Sequence, residues 1–170
     1  MKIAIAGAHR VGKTTLAEEL QEQLPAYELY TEPYYALEES GYLFSDIPDA
    51  EDFIKQFQYS IKQIAKAGND AIFDRCPVDL LAYIHAVDPS RNIESLFEMA
   101  HKAMAEIDLL VFVPIENPDL ISLQQSDLPE LREDVHDILI DWIEDFGIRT
   151  ITVNGKLSNR CSQVLKEITG

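Results

Sequence analysis

The sequence predicts an α/β fold, a three-layer single domain in which a five-stranded parallel sheet is covered by helices on both faces. Three observations predict it. Apolar, β-branched runs recur along the chain, each leads into a longer segment of helical period, and 170 residues suffice for one such domain. The runs are short and mostly apolar, as strands covered on both faces are.

The first run, residues 2–8, leads through a glycine-rich turn into a helix over 14–24 that stops at Pro25. A second run spans 27–32. The segment 49–68 places Phe53, Phe57, Ile61 and Ile64 on one helix face and ends at a glycine, Gly68. The third run, 71–74, precedes helices over 77–87 and 93–107, which the turn-forming Asp88-Pro89-Ser90 separates. The fourth run is 109–115. After it, 116–134 is the least regular stretch, with two prolines, Ser, Gln and several acids, and long irregular stretches inside domains are often lids. Val135, Ile138, Leu139, Trp142, Ile143 and Phe146 then keep i, i+3, i+4, i+7 spacing up to Gly147, which predicts a strongly amphipathic helix. A fifth run at 150–154 and a helix over about 158–168 close the chain. No repeat, low-complexity tract or linker interrupts residues 1–170, so the chain reads as one domain.

Composition excludes several function classes. Thirty acidic against 14 basic residues give a net charge of −16, and no segment gathers Lys or Arg into a run. Such a field repels a phosphodiester backbone, so nucleic acid is not an expected partner. A small anionic ligand remains compatible, because two or three aimed cations act locally whatever the distant surface charge. The apolar stretch 3–8 is too short for a signal segment or a membrane span, which makes the cytoplasm the default location and a membrane partner unexpected. Cys76 and Cys161 are too few for a disulfide framework or a metal site and read as reduced and partly buried.

Gly7-Ala8-His9-Arg10-Val11-Gly12-Lys13-Thr14 fits the pattern G-x-x-x-x-G-K-S/T, follows an apolar run and opens a helix, with Thr15 next in line. The glycines let backbone amides turn inward on phosphate oxygens, and the helix N-terminus adds partial positive charge. Lys13 is expected to reach the β- and γ-phosphates of ATP, and the Thr14 hydroxyl to coordinate Mg²⁺. Arg10 either touches a phosphate or points to solvent. His9 reads as a loop residue.

A phosphate-binding loop alone does not separate kinases from switches, motors or transporter ATPases. The chain carries no Asn-Lys-x-Asp, no Asp-x-x-Gly after a strand and no Leu-Ser-Gly-Gly-Gln, and it is shorter than an AAA-type module with its helical lid domain. A small-molecule kinase remains. The third run ends in Asp74-Arg75, and the carboxyl ends of strands are where ligands bind in open α/β sheets. Asp74 can hold the magnesium, directly or through water, and Arg75 can face the transferring phosphoryl group or the acceptor. The alternative is an exposed Asp-Arg pair. On the helix from Asp49, Gln56, Tyr59 and Gln63 form a stripe whose amides can read a base edge, while Tyr34, Tyr35 or Tyr59 can stack on a ring; equally, the stripe is a polar shoulder of the core.

The glycine loop, Asp74-Arg75 with Pro77 and Asp79 just after, and Thr31-Glu32-Pro33 together resemble the P-loop nucleoside and nucleotide kinases. The branch most resembled is that of small ATPases and kinases related to the ribosylnicotinamide kinase domain, with deoxynucleoside and thymidylate kinases more distant. The resemblance implies the P-loop NTPase fold, ATP and Mg²⁺ as cofactors, and a small, nucleoside-like phosphoryl acceptor. It also implies that Glu32, held extended by Pro33, accepts the proton of the acceptor hydroxyl. Lids in this group often carry two or more arginines. Here the stretch offers one, Arg132, beside Asp127, Glu130, Glu133 and Asp134; it either closes over the phosphate or pairs with those acids. Arg160 reads as a surface arginine of the last helix, with a place near the nucleotide base or lid as its alternative. The expectation is a kinase acting on a nucleoside-like or nucleotide acceptor, and the alternative is a slow NTPase or switch acting on a protein. The motifs leave the acceptor, ATP over GTP and the oligomeric state open.

Overall fold

The computed structural model describes residues 1–119 and 121–170. Leu120, inside the expected lid stretch, lies outside the described residues. Five strands, β1 (Lys2–Ala6), β2 (Glu28–Tyr30), β3 (Ala71–Asp74), β4 (Leu109–Phe112) and β5 (Thr150–Thr152), form one parallel sheet in the order β2-β3-β1-β4-β5. Among the described residues six α-helices connect them, α1 (Lys13–Gln23), α2 (Pro33–Glu39), α3 (Ala50–Lys66), α4 (Pro77–Val87), α5 (Glu94–Met104) and α6 (Pro129–Trp142), and a seventh, α7 (Leu157–Thr169), follows β5. This is the expected α/β architecture.

The strand order follows from the crossovers. Right-handed connections put α1 on one face, where it packs against α7, and send α3, α4, α5 and α6 to the other. β1 therefore sits centrally between β3 and β4, at the point where the chain reverses its direction of travel across the sheet. Ile3, Ala4, Ile5 and Ala6 are wholly buried, as a central strand covered on both faces requires. Helix α4 is buried all round between α3, α5 and α6, which explains why its sequence, PVDLLAYIHAV, is apolar on every face instead of amphipathic. Asp79 is a full member of this buried helix, because its Oδ1 accepts the Cys76 backbone N–H at 2.8 Å and so caps the first turn.

Element ends differ from expectation by a few residues, and two differences matter. Helix α2 was not expected; Pro33 occupies its first turn and Glu32 is its N-cap, so the stretch after β2 turns at once into a helix. Helix α6 begins at Pro129, six residues ahead of the apolar periodicity that starts at Val135, because a first-turn proline and Glu130 favour initiation there. The irregular stretch is correspondingly shorter and includes a single turn of 3₁₀ helix at Gln125–Asp127. Both cysteines are buried as free thiols, deeper than expected. No helix among the described residues is long and apolar enough to cross a membrane.

Gly7 shows how tightly the loop after β1 is seated. A Cβ there would stand 2.4 Å from the Val113 carbonyl oxygen, and φ is +154°. Backbone cannot step aside as a flexible side chain can. Gly7→Ala is expected to lower the urea midpoint by the equivalent of roughly 1–3 kcal/mol, and a midpoint equal to wild type would show that β4 yields.

Candidate active site

The loop between β1 and α1 wraps the N-terminus of α1 without closing it. Gly12, at φ +88°, caps the helix with no side-chain bond, and among the described residues the backbone N–H groups of Gly12, Lys13, Thr14 and Thr15 have no acceptor within the chain. Four unpartnered donors on a helix dipole form an anion cradle. The outside of the loop is braced instead: Arg160 Nη1 donates to Val11 O at 2.6 Å, Arg132 Nε donates to His9 O at 2.9 Å, and Lys13 Nζ donates to Ala8 O at 2.6 Å. Burial, and then Arg75, lower the Lys13 ammonium to about 8, against the pull of Asp79, Glu32 and Asp74.

β3 lies beside β1 and delivers Asp74 and Arg75 next to that cradle. Asp74 is 3 % exposed and its Oδ1 has no hydrogen-bond partner; burial raises its pKa while the Thr14 hydroxyl works against the rise. An orphaned carboxylate oxygen beside a threonine hydroxyl is a hard-oxygen pair that fits Mg²⁺, a cation that takes few protein ligands and completes its shell with phosphate and water. Among the described residues no group of three or more His, Cys, Asp or Glu could hold a metal.

Arg75 is not an exposed strand-end residue. It is 7 % exposed, adopts φ +83°, and places Nε 2.8 Å from Glu32 Oε1 and Nη1 3.8 Å from Asp79 Oδ2, with its guanidinium carbon 5.0 Å from the centre of the Tyr83 ring. The Nε–H is not aligned on Glu32, so the contact is an ion pair and not a directed hydrogen bond. Burial opposes the Arg75 charge, but Glu32, Tyr83 and Asp79 together raise its pKa above the usual value. Burial pushes the Asp79 carboxyl up to about 6, against the pull of Arg75 and Lys13. A left-handed backbone at a non-glycine residue stores strain, and the two carboxylates hold it there.

Tyr83 links this pair to the loop. Its oxygen accepts the His9 backbone N–H at 2.6 Å and its hydroxyl faces His9 Nδ1 at 2.9 Å, while His9 Nε2 lies 2.5 Å from the carbonyl of Asp127. A carbonyl only accepts, so the ring proton sits on Nε2 and Nδ1 takes the Tyr83 proton. Burial lowers the His9 pKa and so favours this neutral form. His9 is thus more than a loop residue: it ties the glycine loop to the 3₁₀ turn and, through Tyr83, to Arg75. Arg10 pairs with Asp127 Oδ1 at 2.6 Å over the same turn and is 61 % exposed.

Most of these groups open on one cavity of about 820 Å³, whereas Asp74 and Asp79 lie buried behind its wall. Its lining includes His9, Arg10, Gly12, Lys13, Thr14, Thr15, Glu32, Gln56 and Arg75. Tyr34 and Tyr35 also line it, but Tyr59 does not. Three residues along α3 turn a side chain 60° away from Gln56 and about 4.5 Å further along the axis, and Gln63, one turn beyond, donates to Thr31 O at 3.1 Å. The expected reading stripe is therefore reduced to Gln56. Arg132 pairs with none of the four acids expected: it is 2 % exposed, meets Asp119 Oδ2 at 2.6 Å, and faces a second cavity of about 230 Å³ instead of the first. Arg160 is not a surface arginine. It reaches Val11, Gly155 and Glu116 and lines that second cavity with Gly155 and Lys156. Neither the burial of Tyr83 nor the Arg160 brace had a local sequence signal beyond the apolar character of α4.

A glycine loop seated at the C-terminal end of the central strand, with Asp74 and Arg75 beside it at the end of β3, defines a P-loop protein with the kinase-type fold. The chain belongs to the AAA domain family, whose model matches residues 2–160. This match corrects the expectation, drawn from length, that the chain is not an AAA-type module: the family's model is met by residues 2–160, within the α/β unit itself. No curated protein matches the chain in sequence. Among solved structures it is similar to deoxyadenosine kinase from M. mycoides with bound dATP (TM-score 0.69, 15 % identity, 100 % of each chain). It is also similar to thymidylate kinase from Ehrlichia chaffeensis (TM-score 0.72, 14 % identity, 99 % of this chain and 98 % of the other). A third is the NadR protein in complex with NAD and AMP-PNP (TM-score 0.73, 16 % identity), of which this chain, covered over 99 %, spans 49 %. At these identities the likeness is one of fold.

Proposed function

We propose that the protein is a kinase that transfers the γ-phosphoryl group of ATP to a hydroxyl of a small, nucleoside-like acceptor. The observation that carries this reading is the Glu32–Arg75 pair at 2.8 Å, held across one cavity from Lys13 and the open N-terminus of α1. A hydrolytic switch has no need of a carboxylate and an aromatic-lined cleft beyond the γ-phosphate.

In this reading the N–H groups of the glycine loop and Lys13 bind the β- and γ-phosphates, and the second cavity, rimmed by Arg160, takes the base of the donor. Thr14 and Asp74 would hold Mg²⁺, which when bound neutralises phosphate charge. Glu32 orients the acceptor hydroxyl and takes its proton. The acceptor oxygen forms its bond to the γ-phosphorus as the bond to the β,γ-bridging oxygen breaks, that electron pair leaving on ADP. Arg75 faces the equatorial oxygens as charge shifts. The segment 116–134, latched to the loop through His9 and Arg10, acts as the lid.

The test is ATP consumption with Mg²⁺ across nucleosides, ribosylnicotinamide, nucleoside monophosphates and sugars. One acceptor is expected to stimulate turnover strongly, and Glu32→Gln to cut kcat by about 10²–10⁴-fold with ATP binding retained. Slow hydrolysis that ignores every acceptor and survives Glu32→Gln would overturn the kinase in favour of a switch.

A further inference from the structure

The acceptor side of the large cavity is acidic, and its single cation is already engaged. Beyond the loop it is lined by Glu32, Tyr34, Phe44, Asp46, Asp52 and Gln56, with Arg75 at the back. Among the described residues Arg75 is the one cation of this half, and it lies 2.8 Å from Glu32 and 3.8 Å from Asp79. The other cations of the lining belong to the loop side: Lys13 bonds Ala8 O, and Arg10 pairs with Asp127. Asp52, 5 % exposed, is held in place by the Tyr42 hydroxyl and the Ser45 N–H, both at 2.9 Å. Three carboxylates, Glu32, Asp46 and Asp52, thus share the lining of this half with one compensated guanidinium.

Two further observations say what would suit this space. Gln56 is 4 % exposed, yet its amide makes only a 3.5 Å contact within the chain, from Nε2 to Asp52 O, which leaves an all but buried donor-acceptor group on the cavity wall. Tyr34 and Phe44 are stacked with centroids 4.2 Å apart and present flat apolar surface beside it. An amide beside aromatic faces reads a planar ring with polar edges, and carboxylates reject anions.

Resting on the kinase reading above, we propose that the acceptor enters this site without a phosphate: it is a neutral or positively charged nucleoside-like molecule with a free hydroxyl, and nucleoside monophosphates are rejected. A phosphate dianion in this half would lie among Glu32, Asp46 and Asp52 with no free cation to receive it. The same repulsion acts on the product, whose new phosphate lies beside Glu32 and is driven out.

The experiment is calorimetric titration of matched pairs into protein saturated with ADP and Mg²⁺, which blocks the glycine loop as an alternative phosphate site. The pairs are adenosine and AMP, cytidine and CMP, thymidine and TMP, and ribosylnicotinamide and its mononucleotide. In one pair the nucleoside is expected to bind at least about 100-fold more tightly than its monophosphate. Asp46→Arg, a change at an exposed position of the rim, is expected to narrow that gap about tenfold or more. A monophosphate that binds as well as its nucleoside, a gap that Asp46→Arg leaves unmoved, or no binding by any pair overturns the proposal. Product analysis with ATP separates the two claims: selective binding without phosphorylated product removes the kinase and keeps the selectivity, whereas product from a monophosphate removes the selectivity and keeps the kinase.

Discussion

Arg75→Ala is expected to lower kcat by about 10³-fold or more and stability by about 3–5 kcal/mol. In the proposed kinase the activity loss follows from removing Arg75, among the described residues the one cation on the acceptor side of the large cavity. The stability loss follows from burial: Asp79 is 0 % exposed and Glu32 is partly covered, so deleting Arg75 leaves a buried carboxylate uncompensated. The pH dependence identifies the cause. With Arg75 present, burial already lifts Asp79 to about 6, above the ordinary carboxyl value of 3.8. A carboxyl raised on folding stabilises the fold when protonated, so its contribution is full below the unfolded pKa and is lost as pH rises through the folded one. In wild type that loss falls between about pH 4 and pH 6. Without Arg75 the folded pKa rises further and the window extends upward, so the deficit of Arg75→Ala, measured by urea denaturation, is expected to be large at pH 8 and to shrink by pH 5. Arg75→Gly, which accepts φ +83° without strain, is expected to be about 1 kcal/mol more stable than Arg75→Ala. Parallel pH profiles for wild type and Arg75→Ala would remove Asp79 from the account.

Lys13→Met is expected to stabilise the nucleotide-free protein while abolishing its response to nucleotide. Lys13 is 5 % exposed and its ammonium is lowered from 10.5 to about 8, chiefly by burial. A base lowered on folding destabilises the fold while charged, so the penalty is present below the folded pKa and fades as pH rises from about 8 towards 10.5. The shift corresponds to roughly 3 kcal/mol, an upper figure because methionine also gives up the bond to Ala8 O. At pH 7 the thermal midpoint of Lys13→Met is expected to lie several degrees above wild type, the difference closing towards pH 10. ATP with Mg²⁺ is expected to raise the wild-type midpoint by mass action and to leave the variant unmoved. A nucleotide-free variant less stable than wild type at pH 7 would show that the lysine is well accommodated without phosphate.

Helix α4 illustrates how far local sequence reaches. Its ends match the expected 77–87 to the residue, since Pro77 and Asp88-Pro89 punctuate both termini. Its position between α3, α5 and α6, and hence the burial of Asp79 and Tyr83, depends on partners that no window contains. Helix α2 escaped for the opposite reason: seven residues are too few to show a period, and its start depends on where β2 ends. Gln56 and Tyr59, adjacent in any helical projection, were separated only by the way α3 passes the cavity.

By itself the sequence determined the α/β class, the parallel sheet and the glycine loop with Lys13 and Thr14, because each is encoded in contiguous residues: apolar runs, helical period, and a motif whose chemistry is local. The tertiary structure alone decided which distant groups meet. Glu32 pairs with Arg75 because β2 lies beside β3, His9 meets Tyr83 and Asp127 because the loop after β1 is packed beneath α4 and the 3₁₀ turn, and Arg132 turns to Asp119 instead of its neighbouring acids. Strand order and helix packing set those distances, and they are settled by burial of the whole apolar surface at once, which no single segment specifies.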